Sequence, residues 1–329
     1  MDSDSTSELM PEGRDRYRLN VRSFSATTGN VGAIETVNGN TLVAFTLPTG
    51  GNFVIGAKEY VTKKKIYYFV ANTLGTDSIL EFDPILNTID YVISGSFLNF
   101  GLQFLITGIN IIELDVDNHL LYWTDNNEEP KKINIEKGKF FMAGDFVQGY
   151  SSPFNPENLF RIKQPHLLSP IAAYGDDPDA LINRLTEKLF QFKIQYVYDD
   201  KEVSSWSPIS ATPYPTSSDM DGRNNKISVT LNTGIDIVNR IRIAAKVSTS
   251  STFFLIADLD KKDLNITSNS SYVYDFYNDG NYSNLEVNES VKLYDNVPKK
   301  SQSQEIIKGN RVVDGDITEG FDLTPIDLE

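Results

Sequence analysis

From residue 41 to about 150 nearly every apolar stretch is short, and each is closed by Gly, Asn, Asp or Pro. Runs of about four to eight residues between such punctuation suit strands joined by tight turns rather than helices of ordinary length. This reading predicts strands near 41–47, 53–60, 65–71, 78–83, 89–94, 102–107, 110–115, 119–124 and 131–136. A later block alternates more strictly. Phe190, Phe192, Ile194, Tyr196 and Tyr198 occupy every second position, and so do Ile227, Val229 and Leu231, then Ile241, Ile243, Ala245 and Val247. A period of two over three segments predicts half-buried antiparallel strands. The expected fold class is all-β.

The first block repeats itself. Lys65–Asn72 followed by a Gly/Asp turn and Ile79–Asp83 is echoed by His119–Asn126, a turn, and Lys132–Ile135. Residue 66 maps to 120, 68 to 122, 72 to 126 and 79 to 133, an offset of 54. Propeller blades recur at about 40–50 residues, so a slightly longer unit fits the same architecture, as does a pair of similar hairpins in an unrelated β-domain. Within the second copy, Leu121, Tyr122, Trp123, Thr124 and Asp125 resemble the YWTD blade signature. That resemblance implies aromatics packed between adjacent blades and an aspartate that fixes the turn after the strand. An ordinary strand ending in an Asx turn reads the same way.

The expected organisation is an N-terminal arm at 1–40, β-propeller blades at 41–155 and a linker at 156–188. An immunoglobulin- or fibronectin-III-like β-sandwich follows at 189–297, then a return to the propeller at 298–329. Within the linker, Asp176, Asp177 and Asp179 precede Ala180–Leu185, which predicts a short helix with an acidic N-terminus. The segment Trp206-Ser207-Pro208 and the strand spacing suit the sandwich, and without cysteine it is not an antibody-type domain. Two blades and a fraction do not close a propeller. The chain is therefore expected to continue beyond Glu329 or to be completed by neighbours.

Composition narrows the chemistry. There is no cysteine, which removes disulfides, thiolate metal sites and cysteine nucleophiles. There are two histidines, His119 and His166, far apart in the sequence. The net charge of −15 disfavours a nucleic-acid-binding surface, which needs Lys and Arg against phosphates. It is compatible with a surface that DNA slides past. The N-terminus lacks a basic and an apolar region, so no secretory signal is read there, and no apolar stretch is long enough to span a bilayer. The N-x-[ST] positions at Asn265, Asn269, Asn281 and Asn288 are then incidental.

Asp115-Val116-Asp117-Asn118 spaces oxygen ligands as a calcium loop does, and Asp258-Leu259-Asp260 does likewise. Both lack the glycine and distal glutamate of an EF-hand and read better as turns. Lys63-Lys64-Lys65 reads as a solvated edge guard. Trp123 and Trp206 could stack on sugars but suit packing better. No nucleophile elbow, phosphate loop or zinc-protease motif occurs. No cofactor, metal or catalytic residue is therefore expected, and the chain reads as non-enzymatic.

Taken together, five stretches resemble the tail nozzle proteins of short-tailed phages, and most of all the muzzle proteins of crAss-like phages. They are PEGRDRYRLNVRSFSATTGNVGAIETVNGN (11–40), IGAKEYVTKKKIYYFVAN (55–72), NHLLYWTDNNEEPKKINIE (118–136), FQFKIQYVYDDKEVSSWSPIS (190–210) and VPKKSQSQEIIKGNRVVDGDITEGFD (297–322). In that family a propeller is interrupted by a sandwich-like module and then resumes. The resemblance implies a structural virion protein of the tail, a homo-oligomer forming a hexameric ring that closes or guides the genome exit channel. Other tail proteins, the hub and ring proteins, would be neighbours. Genomic DNA would pass without specific binding, and there would be no membrane segment. The Gly/Asn-rich stretch at 20–40 would contact a neighbour or the hub. A glycan- or receptor-binding surface module is the competing reading, and an enzyme acting on polysaccharide a third.

Overall fold

A computed structural model of the chain describes residues 21–25, 31–36, 42–161, 163, 168–186, 188–215, 223–290, 299–309 and 311–319. The described residues are mostly β-sheet, 45% strand against 8% helix, in several antiparallel sheets of which none is closed. The all-β class is therefore correct. The chain forms two compact units, 1–46 and 47–329. In the first, β1 (Val21–Ser25) pairs antiparallel with β2 (Val31–Thr36), with an irregular register at Phe24 and Ser25.

The second unit begins with a four-stranded antiparallel meander of β3 (Asn52–Tyr60), β4 (Lys65–Asn72), β5 (Asp77–Asp83) and β6 (Thr88–Gly95). Its turns follow from residue type. Lys64 takes a left-handed φ of 54° after β3. Asp83 Oδ1 accepts the Ile85 and Leu86 amides at 2.9 and 3.0 Å, the self-bonding that makes aspartate a turn residue. A three-stranded sheet follows, β7 (Gly108–Asp115), β8 (Asn118–Thr124) and β9 (Lys131–Asn134).

After β9 the chain does not add a fourth strand. Asn134 accepts the Lys137 amide at 2.9 Å and starts helix α1 (Ile135–Met142). The strand expected over 131–136 thus stops early, because its asparagine serves as a helix cap. Gly138 lets the helix lie on β6, since a Cβ there would come within 2.6 Å of the Val92 carbonyl oxygen.

Two other expected strands are absent. Residues 42–47 are irregular, with Leu42 exposed, and β3 starts only beyond the turn at Pro48–Gly51. Residues 102–107 also lack strand structure. There Phe104 N–H bonds to the Gly101 carbonyl and Ile106 N–H to the Ile55 carbonyl, both at 3.0 Å. An alternating pattern supplies an apolar face, but a strand also needs a ladder of partners.

The stretch expected as a linker contributes a strand, β10 (Ile171–Gly175). The helix expected over 180–185 is irregular chain instead. Asp177 Oδ1 takes the Asp179 amide, and Asn183 Oδ1 takes the Leu185 amide, both at 2.9 Å. Side chains of this kind compete with helical hydrogen bonds. Leu185 is buried while Leu181 and Ile182 are exposed, so no continuous apolar stripe rewards a helix.

Next come β11 (Phe190–Tyr198), β12 (Lys226–Asn232), β13 (Val238–Val247), β14 (Phe254–Asp260), β15 (Ser271–Phe276) and β16 (Ser283–Asn284). They form two antiparallel sheets, ordered β10-β12-β15 and β11-β13-β14-β16. Phe190, Phe192 and Ala245 of the second sheet share a core with Ile227, Val229 and Phe276 of the first. The expectation of half-burial fails for β11. Lys193 and Gln195, on its polar face, are as buried as Phe192 and Ile194. That face is covered by Trp206 and Phe253, over which the Lys193 ammonium sits at 4.5 and 3.8 Å.

The last hairpin pairs β17 (Lys300–Ile307) with β18 (Arg311–Thr318). It meets the three-stranded sheet through the Ser301 carbonyl, which accepts Thr124 Oγ1 at 2.6 Å and the Asn126 amide at 3.1 Å. Gly108 allows the approach, since a Cβ would sit 2.8 Å from the Gln304 nitrogen. The largest apolar core joins Ile55, Phe69, Trp123 and Ile133 of the first two sheets to Ile194, Tyr196 and Ile241 of the β11 sheet. Among the described residues, no helix is long and apolar enough to cross a membrane.

Candidate functional site

The signature residues all lie at the end of β8 and just beyond it, and all five are buried. Leu121 and Trp123 enter the core. The Trp123 ring lies 5.7 Å from Phe69 and 6.4 Å from Phe100. Phe69 and Trp123 are equivalent positions under the offset of 54, so the repeat places matching aromatics against one another. Thr124 bonds to Ser301 as described. Asp125 Oδ1 accepts the Asn127 and Glu128 amides, both at 2.9 Å, and so fixes the turn after β8. Tyr122 lies beside Lys132, and burial raises its phenol above the usual range.

Beside this motif is a buried ionic node that joins two sheets. Lys132 on β9 donates to Asp199 Oδ1 at 2.8 Å and to Asp200, the two residues that follow β11. Lys163 also donates to Asp200, reaches Glu202 at 3.2 Å and lies 5.1 Å from the Tyr198 ring centre. Only 1% of the Lys132 side chain, 5% of Asp199 and 7% of Asp200 is exposed, so these charges have left water and depend on each other. Burial alone would raise the Asp200 pKa, but Lys132 and Lys163 outweigh it and hold the carboxyl at about 2. Burial also opposes the Lys132 charge, and Asp199 with Asp200 overcomes it, so that ammonium titrates above its usual range. For Lys163 burial and Lys132 prevail, and its pKa falls.

A second node ties α1 to the meander. Glu81 on β5 accepts Tyr67 Oη at 2.7 Å, Lys139 Nζ at 2.6 Å and Lys65 Nζ. Burial works against the Glu81 charge, but the lysines and the tyrosine lower its pKa on balance. Asp236 forms a third connection. Its Oδ2 accepts Ser151 Oγ at 2.8 Å, the Ser151 amide at 3.1 Å and Asn158 Nδ2 at 3.0 Å. Arg161 pairs with Asp314 of β18, tying the last hairpin in place.

The alternative sites are occupied by structural duties. Asp115 Oδ1 accepts the Asp117 amide and Asn118 Nδ2. Asp258 pairs with Arg240 at 2.7 Å, and Asp260 Oδ1 accepts the Lys262 and Asp263 amides. Among the described residues no group of three or more His, Asp or Glu side chains is placed to hold a metal ion. Lys65 belongs to the Glu81 node, while Lys63 and Lys64 are exposed in the turn before β4. Trp206 donates Nε1–H to the Glu289 carbonyl at 2.7 Å and, like Trp123, is buried, so neither indole is free to stack on a sugar. His166 lies outside the described residues.

One open cleft, of about 520 Å³, is lined by Phe97, Asn99, Glu128, Glu129, Lys131 and Phe160 among others. Two of its charges, Lys131 and Glu128, are already engaged. Lys131 Nζ bonds to Glu128 and to the Leu98 carbonyl at 3.1 Å, and Asn99 bonds to Glu128.

The sequence reading missed Lys132, Lys163, Asp199, Asp200 and Asp236. Lys132, Asp199, Asp200 and Asp236 stand next to a turn or strand end, where charged residues are usually solvated. The pair Asp199-Asp200 after an apolar strand reads as a turn, and only the packing of β9 against it reveals the node. No protein-family model matches the chain, and no curated protein matches it either.

Proposed function

We propose that this chain is a non-enzymatic structural subunit of a phage tail, assembling with copies of itself into the ring that closes or guides genome exit. In this reading β3–β6 and β7–β9 are propeller blades and β10–β16 a fibronectin-III-like sandwich inserted after them. The contact of the repeat-equivalent Phe69 and Trp123 supports the blades. The shared core of two antiparallel sheets supports the sandwich.

The observation that carries the function is the rigid joining of open sheets. One apolar core and a desolvated ionic node fasten separate sheets to each other, yet among the described residues none of the sheets is closed. A body of this kind resists shear, while its sheet edges need protection or neighbours. A cyclic ring meets that need through heterologous contacts that close. The net charge of −15 favours passage of DNA without capture. Against a glycan-binding module stands the burial of both tryptophans.

The test is to locate the chain by particle imaging and mass spectrometry of purified virions. The expected result is a ring of copies at the distal end of the tail. Absence of the chain from intact particles overturns the proposal.

A further inference from the structure

In the sheet ordered β11-β13-β14-β16, β11 is the outermost strand, yet its outer edge is not open. The chain returns along it at 203–210 in an uncommon way. Ser204, Ser207 and Ser210 donate their amides to the carbonyls of Tyr196, Ile194 and Phe192 at 2.9, 2.8 and 2.8 Å. The same three serines accept, on Oγ, the amides of Tyr196, Ile194 and Phe192 at 2.9, 3.0 and 2.9 Å.

An ordinary ladder residue needs an amide and a carbonyl from its partner. Here one serine supplies both functions, its own amide as donor and its hydroxyl oxygen as acceptor. The strap therefore advances three residues for every two of β11. Gln195 Nε2 bonds to the Ser204 carbonyl at 2.8 Å, and Tyr198 N–H bonds to the Glu202 carbonyl at 2.9 Å. The outward-facing groups of β11 are thus satisfied from Phe192 to Tyr198, and the three serines are all buried.

The edge beneath is self-complementary. Two copies of β11 laid antiparallel about Ile194 set Phe190 opposite Tyr198, Phe192 opposite Tyr196 and Ile194 opposite its own counterpart. On the other face Lys193 meets Gln195 and Gln191 meets Val197. No like charges face each other, and the outward-facing residues 192, 194 and 196 fall at the hydrogen-bonded positions.

We propose that the 203–210 strap is a guard against self-pairing, occupying a strand-acceptor edge that otherwise takes β11 of a second copy of this chain. The guard is independent of any ring contact, because it concerns an edge that is filled in the native fold.

The test replaces all three hydroxyls, S204A/S207A/S210A, in the full chain. The strap amides remain as donors, but three buried amides of β11 lose their acceptors. The expected result, by sedimentation velocity over a concentration series, is a step to twice the wild-type mass, with a wild-type circular dichroism spectrum. A folded triple variant sedimenting as wild type overturns the proposal. Should the triple variant not fold, Ser207→Ala alone is read by amide exchange at Ile194. At low protein concentration exchange is expected to rise roughly ten-fold. Raising the concentration is expected to slow it again, as a second copy covers the amide. Exchange that is unchanged by the substitution, or that does not depend on concentration, overturns the guard.

Discussion

The sheets at 52–134 and those at 171–284 are both antiparallel, but they meet their surroundings differently. The later sheets face one another across a shared core of Phe190, Phe192, Ile227, Val229, Ala245 and Phe276. The edge of β11 is sealed by a segment that follows it almost at once. The earlier sheets rely on distant chain. Helix α1 lies on β6, the hairpin from 300 to 318 bonds to β8, and Asp199 and Asp200 pair with Lys132. The later sheets thus close one core between themselves, although Ile194, Tyr196 and Ile241 also enter the core shared with the earlier sheets, whereas the earlier sheets lean on elements from other parts of the chain. Damage to the earlier region should therefore spread further.

The sharpest way to break this contrast is Lys132→Ala. It leaves the buried Asp199 carboxylate without its cation, an imbalance that costs about 3–5 kcal/mol. Because the node spans β9 and the end of β11, amide exchange should accelerate in both regions within one unfolding transition. Loss of protection confined to β7–β9 would show that the two regions are separable.

Acid should act on the same node with a smaller effect. The Asp200 carboxyl is held at about 2, below its ordinary 3.8. A carboxyl depressed by folding stabilises the native state above its unfolded pKa, and that contribution fades as pH falls through the folded value. About 2 kcal/mol should therefore be present above pH 3.8 and disappear as the pH drops towards 2. Denaturant titrations of wild type and Asp200→Asn over this range should converge at the acid end. Parallel curves would remove Asp200 from the account.

The smallest effect expected is that of Asn134→Ala, which removes the cap of α1. A cap is worth about 1 kcal/mol. The loss should be local, speeding exchange in 135–142 and leaving β11 as in wild type. An equal effect on β11 would mean that α1 is as tightly coupled to the later sheets as Lys132 is.

Much of the fold was legible because two patterns have a direct physical cause. Alternation marked Phe190–Tyr198, 227–231 and 241–247, since successive strand residues point to opposite faces. The repeat at an offset of 54 marked the hairpins of β4–β5 and β8–β9. Other elements left weaker traces. Helix α1 was obscured by Gly138, a poor helix residue that is there because of what packs against it. Strand β10 is a five-residue run ending in glycine. The serine strap has spacing three, which matches no strand pattern, and becomes visible only beside β11.

By itself the sequence determined the all-β class, the positions of most strands and the turn at Asp125, for these depend on side-chain periodicity and local hydrogen bonding. Only the tertiary structure decided that 42–47 and 102–107 are not strands, that β11 is covered on both faces, and that Lys132 and Asp200 share a buried node. Each of those outcomes depends on residues distant in the chain. A side chain's type limits which partners it can take, but burial and pairing are set by the surface that arrives to meet it.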